Sequence, residues 1–142
     1  MTIVAAVDAS PAAARVVEKA LDFARDDGDI HVVHVFQPPS TVYPVEGMYL
    51  ADDEEFERAE HDMVWKELEG VMESAPATLQ RVELKGYPAS AIVEHAREVD
   101  ASLIVVGTRG RGGFASLVLG STSQAVIHDA PCDVLVVKTA AE

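Results

Sequence analysis

The sequence predicts a single α/β domain over residues 1–142, a doubly wound sheet of five parallel strands with helices on both faces. Three observations carry this. Short apolar runs alternate with segments of helical period, and the last run closes the chain. Several of those runs are continuously apolar, as strands buried on both faces must be. The segments between them are long enough to be helical crossovers, which parallel neighbours require.

Ile3 to Val7 is an unbroken apolar run that stops at Asp8. Ser10 followed by Pro11 marks a helix start, with Ser as N-cap and Pro at the first helical position, where its missing N–H costs nothing. The stripe Val16, Val17, Ala20, Leu21 and Ala24 carries that helix to Asp27-Gly28. Ile30 to Phe36 is the second strand, stopped by Pro38-Pro39. Residues 37–52, with Tyr43, Val45, Met48, Tyr49 and Leu50, are too many for a tight connection and read as a functional flap or a mobile insert. Asp53 to about Ser74 is helical through Val64, Leu68, Val71 and Met72, with Pro76 beyond its end. Leu79 to Leu84 alternates polar and apolar residues, the pattern of a strand nearer an edge. Gly86-Tyr87-Pro88 opens a third helix through Ala91, Ile92, Ala96 and Val99. Leu103 to Val106 is the fourth strand, Thr122 to Asp129 a short helix ended by Pro131, and Asp133 to Lys138 the last strand.

Composition excludes several classes of partner. The chain has 142 residues, with 24 acids against 11 Lys and Arg, and a net charge of −13. Such a surface repels phosphate backbones and anionic lipid, so neither nucleic acid nor membrane is expected as a partner. The longest apolar stretches fall far short of the ~20 residues that span a bilayer. Met1-Thr2-Ile3-Val4 runs into Asp8 without a basic leader, which points to a cytoplasmic protein. Two accounts of the acidity compete: a solubilising surface, or adaptation to a high-salt cytoplasm that screens self-repulsion. The single cysteine, Cys132, excludes an intramolecular disulfide framework and sits among strand residues as a small hydrophobe. His31, His34, His61, His95 and His128 show no paired-ligand spacing and read as structural or surface residues.

The chemistry-bearing segment runs from Gly107 to Ser123. Gly107, Gly110, Gly112 and Gly113 follow a buried strand, where positive φ and close backbone approach to a ligand become accessible. Exposed N–H groups in such a loop form an anion nest, and the helix beginning near Gly120-Ser121 adds its N-terminal partial positive charge. Arg109 and Arg111 place a close pair of cations there, so a phosphate-bearing ligand fits. A P-loop is excluded because no Lys lies in the segment. Gly110 to Ala115 matches a dinucleotide fingerprint on paper. That fingerprint also needs a helix starting on those glycines and an acid at the tip of the next strand, which here ends at Val137-Lys138.

Gly107-x2-Gly110-x9-Gly120-Ser121 resembles the complete glycine pattern of the ATP-binding branch of the universal stress protein family. The similarity extends to Val7-Asp8-Ala9-Ser10, His34-Val35 and Pro131-Cys132-Asp133-Val134. The resemblance implies a strand order of 3-2-1-4-5, which puts a topological switch point between strands one and four. Ligands of open α/β sheets bind outside the carboxyl ends there. It further implies ATP as ligand, with Ala6, Val7 and Asp8 along the ribose and base, and Val35 against the adenine. Gly107, Arg109 and Gly110 would cradle the phosphates, and Gly120, Ser121 and Thr122 would hold them at the helix N-terminus. Mg²⁺ or Mn²⁺ would travel with the phosphates without direct protein ligands, Asp8 reaching it through water. A homodimer through Val134, Leu135, Val136 and Val137 is the family expectation for an apolar edge strand. Ala9 departs from the family's usual glycine.

Bland readings stand beside these. Asp8 at a strand end could cap the first helix, and the glycine loop could be a phosphate-free turn. No catalytic constellation is identifiable, so the expected function is a nucleotide-dependent stress-response switch or chaperone-like protein, with at most slow ATP hydrolysis or self-phosphorylation. The alternatives are a nucleotide hydrolase or adenylyl-transfer enzyme of the same fold, and an interaction module that binds no nucleotide.

Overall fold

The computed structural model describes residues 1–25, 28–38, 53–75, 78–108 and 119–138. Strands β1 (Thr2–Val7), β2 (Asp29–Phe36), β3 (Thr78–Lys85), β4 (Leu103–Gly107) and β5 (Asp133–Val137) alternate with helices α1 (Ala13–Ala24), α2 (Asp53–Glu73), α3 (Pro88–Glu98) and α4 (Ser121–Asp129). All strand pairs are parallel, in the order β3-β2-β1-β4-β5. This is the doubly wound sheet that the alternation predicts, in the order that the resemblance implies.

Alternate residues of each inner strand feed opposite cores. Ile3, Ala5, Val7, Ile30 and Val32 pack under α1 and α2 against Val16, Val17, Ala20, Val64, Trp65 and Leu68. Val4, Val33, Val35, Ile104 and Val106 pack on the other face against Ile92, Val93 and Ala96 of α3 and Val126 of α4. Period 2 in a strand with both faces covered therefore reads as an unbroken apolar run. β3, at one edge, exposes its polar residues and half-buries Leu79, Val82 and Leu84, broadly as its polar alternation predicts. β5 forms the other edge, with Val134, Leu135 and Val136 half-buried and Val137 buried.

Two glycines are required locally, one by close approach and one by its backbone conformation. Gly28 lies against the end of α1, where a Cβ would stand 2.4 Å from the Ala24 Cβ. Gly86, at φ +137°, turns β3 toward α3 and donates its N–H to the Phe36 carbonyl at 2.9 Å. Pro88 then starts α3 as predicted, after an extended Tyr87.

The start of α1 departs from prediction. Ser10 is not its N-cap: the helix begins at Ala13, Ala12 occupies the cap position, and no side chain caps it. The Ala13 N–H instead reaches the Ser10 carbonyl at 3.2 Å, closing a turn with Pro11 at its second position. Asp8 takes the Ser10 N–H on its Oδ1 at 2.9 Å, so the side-chain cap acts on this turn rather than on the helix. The apolar residues of 39–52 that sequence analysis singled out lie outside the described residues.

Candidate functional site

The carboxyl ends of β1 and β4 part company. Their ladder closes with Ala5 opposite Val105. Each strand then continues with its other neighbour alone: β1 reaches Val7 opposite His34, and β4 reaches Gly107 opposite Val137. Beyond that point Ala6 to Asp8 and Val106 to Thr108 no longer pair with one another, and the crevice expected of this fold lies between these two strand ends. The crossovers from these central strands leave toward opposite faces, α1 on one side and α4 on the other. This is the switch point where open α/β sheets take ligands.

Two bonds tie α4 and its N-cap to the end of β4, and a third ties the end of β4 to β5. Ser123, buried in the first turn of α4, donates its hydroxyl to the Gly107 carbonyl at 2.5 Å. The Gly120 N–H reaches the Thr108 carbonyl at 2.8 Å, and the Thr108 N–H reaches Val137 at 2.9 Å. The two ends of the segment 109–118 are thus pinned to one another, whatever path lies between them. Gly120 stands at the N-cap of α4 in an extended conformation, makes no side-chain cap, and the first turn carries no acid. Ser121 is exposed and Thr122 half-buried, so this helix start presents N–H groups and hydroxyls near the end of β4.

The structure therefore brings the ends of β1 and β4 and the start of α4 to one edge of the sheet, with Asp8, Gly107, Gly120, Ser121 and Thr122. Val35 lies at the same edge on β2, buried on the α3 side. Arg109 and Gly110 lie outside the described residues. Asp8 is half-buried, and its carboxylate holds the turn before α1 from the same position in which it borders the crevice.

Sequence reasoning missed what the histidines do together. His34 and His61 are buried and meet ring to ring on the α2 side of the sheet; His31 and His95 meet on the α3 side. No local spacing shows pairs 27 and 64 residues apart. One signal was available: His61 stands three and seven residues before Val64 and Leu68, on the buried stripe of α2. Cys132 is half-buried against the α3–α4 core, and burial and then Asp133 push its thiol upward, which keeps it protonated and unreactive at neutral pH.

The model of the universal stress protein family matches residues 1–138 of the chain. The chain belongs to this family. A universal stress protein of Methanocaldococcus jannaschii is 32% identical to it over 96% of this chain and 81% of its own. The solved structure of a universal stress protein in complex with cAMP is 30% identical, covers 96% of each chain and superposes with a TM-score of 0.71. A universal stress protein family member from Arabidopsis thaliana with AMP bound shares the fold at a TM-score of 0.69 and 17% identity, over 99% of this chain and 93% of its own. Two structural relatives of this universal stress protein thus hold adenine nucleotides. Among its described residues no helix is long and apolar enough to cross a membrane.

Proposed function

We propose that this universal stress protein binds ATP in the crevice between β1 and β4 and acts as a nucleotide-dependent switch or chaperone-like protein in stress. The observation that carries the reading is the early end of the β1–β4 ladder beside an acid-free, uncapped helix start. An anionic group placed there meets N–H donors and no carboxylate from the helix, and the cAMP and AMP complexes of relatives supply the ligand class. In this reading Gly107, Arg109, Gly110, Gly120, Ser121 and Thr122 hold the phosphates. Ala6, Val7 and Asp8 line the ribose, and Val35 backs the adenine.

The donor set suits a phosphate chain carrying its own hard cation. Backbone N–H groups and hydroxyls bind phosphate oxygens, while Mg²⁺ or Mn²⁺ keeps water and phosphate ligands and asks little of the protein. Asp8 is the acid placed to meet its water shell. The cation's chemistry would be to neutralise phosphate charge. Residues of this chain would orient the nucleotide, and no nucleophile–base pair is assigned to attack it. We place the protein in the cytoplasm, where ATP and Mg²⁺ are abundant, and assign β5 as the edge through which two copies pair.

Calorimetric titration with ATP, AMP and cAMP, with and without Mg²⁺, tests the reading. ATP–Mg²⁺ is expected to bind, and Arg109→Ala to weaken it about tenfold, as loss of one charge-assisted phosphate contact would. Absence of heat with all three ligands, together with no nucleotide released by acid from freshly purified protein, would refute it.

A further inference from the structure

Strand β2 carries one histidine on each face, and the two faces differ in proton count. On the α3 side, His31 Nδ1 lies 3.0 Å from His95 Nε2, and His31 Nε2 lies 3.3 Å from Asp29 Oδ2. These two contacts need two protons, and two neutral imidazoles bring two. On the α2 side, His34 Nδ1 lies 2.6 Å from His61 Nδ1 with the rings perpendicular. The outer nitrogens both meet carboxylates: His34 Nε2 is 3.4 Å from Glu60 Oε2, and His61 Nε2 is 3.3 Å from Glu57 Oε2. Three contacts need three protons, and neutral rings bring two.

The shortfall has no neutral solution. With both protons on the outer nitrogens, two lone pairs face each other at 2.6 Å. With one proton moved between the rings, a lone pair faces a carboxylate. A single added proton completes the chain Glu60, His34, His61, Glu57. A second added proton sets N–H against N–H at the same short distance and must part the rings.

We propose that His34 and His61 form a proton-binding site whose first added proton is accommodated between the two glutamates and whose second undocks α2 from the sheet. The pair is 3% and 1% exposed, so its charge is not left to solvent. The charged groups around it are Asp8 at the end of β1, Glu57, Arg58 and Glu60 on α2, and Glu83 and Lys85 on β3. Burial, and after it the repulsion of a charged His61, hold His34 down to about 4, against the pull of Asp8 and Glu83. Because His34 stands opposite Val7 and next to Val35, release of α2 reaches the carboxyl edge of the sheet, and the proposal stands whether or not nucleotide binds there.

The chain contains its own reporter. Its single tryptophan, Trp65, lies one turn beyond His61 and donates its Nε1–H to Glu83 at 2.7 Å. Imidazole nitrogen spectra of the ¹⁵N-labelled full chain, followed from about pH 8 to about pH 3.5 alongside Trp65 fluorescence, read protonation and docking together. Two separate steps are expected, the lower belonging to His34 near 4, with the Trp65 emission moving at that lower step. His61→Gln is expected to raise the His34 midpoint by about one pH unit or more, since it removes a repelling charge. Glu60→Gln, at a half-exposed partner, is expected to lower it and serves where His61→Gln does not fold. His34 titrating near the ordinary imidazole value of about 6.5, or Trp65 emission flat through the His34 step, would overturn the proposal.

Discussion

Ser123 is where one hydroxyl decides the shape of the crevice. It is buried and donates to the Gly107 carbonyl at 2.5 Å, joining α4 to the end of β4. Ser123→Ala leaves that carbonyl without this donor and is expected to cost about 1–3 kcal/mol of stability, read as a lowered urea midpoint with unchanged slope. Ser123→Thr keeps the hydroxyl and is expected to recover most of the loss. A variant as stable as the parent would show that water replaces the bond without penalty.

At the scale of the element, α2 is held by groups that titrate. Arg58 forms a bidentate pair with Glu83 and also binds Asp62 at 2.9 Å, Trp65 donates to Glu83, and Arg81 stands 5.6 Å over the Trp65 ring. The Arg58 guanidinium, ahead of the Trp65 N–H, holds the Glu83 carboxyl down to about 2. A depressed carboxyl contributes stability that is present above its unfolded value and lost as pH falls through the folded one, here from about 4.5 to about 2. His34 is lowered too, so the unfolded chain binds its proton first, and stability falls as pH drops from 6.5 to about 4. A fall of that size corresponds to an upper figure of roughly 3 kcal/mol for the buried histidine. The Arg58–Glu83 pair, with Arg58 exposed, is screened by solvent and contributes less than the buried histidine. Glu83→Gln is therefore expected to flatten the lower window of a pH–stability profile and, because Glu83 also pulls His34 upward, to extend the His34 window to lower pH. Unfolding by urea, followed at Trp65 across both windows, checks this.

At the scale of the whole molecule, charge sets the conditions of assembly. Two bodies that each carry −13 repel one another, so pairing of β5 edges is expected to tighten as KCl screens that repulsion. Light scattering at micromolar concentration, from low to molar KCl, is expected to show the dimer mass throughout most of the range and monomer only at the lowest salt. A monomer at every salt would remove β5 as an interface. A melting temperature that keeps rising to molar KCl in the same series would favour adaptation to salt over simple solubility as the meaning of the acids.

The elements are legible in the chain alone, because period and punctuation are local: unbroken apolar runs made β1 and β4, a largely apolar run stopped by Pro38-Pro39 made β2, alternation made β3, and Pro88 opened α3. The sequence also marked the segment proposed to hold the ligand, since Gly107, Gly120 and Ser121 stand at fixed offsets from a strand end. The strand order came from family resemblance rather than from periodicity, which is blind to which strands become neighbours. Only the tertiary structure decided what is non-local. Asp8 was expected to line the crevice or to cap the first helix; it borders the crevice and holds the turn before α1. That depended on the Pro11 turn displacing the helix start to Ala13, a competition between local hydrogen bonds that composition does not resolve. The pairing of His34 with His61 depended on β2 and α2 meeting across 27 residues of chain, and the proton count proposed to make the pair responsive exists only once two buried rings and two half-exposed carboxylates stand in one line.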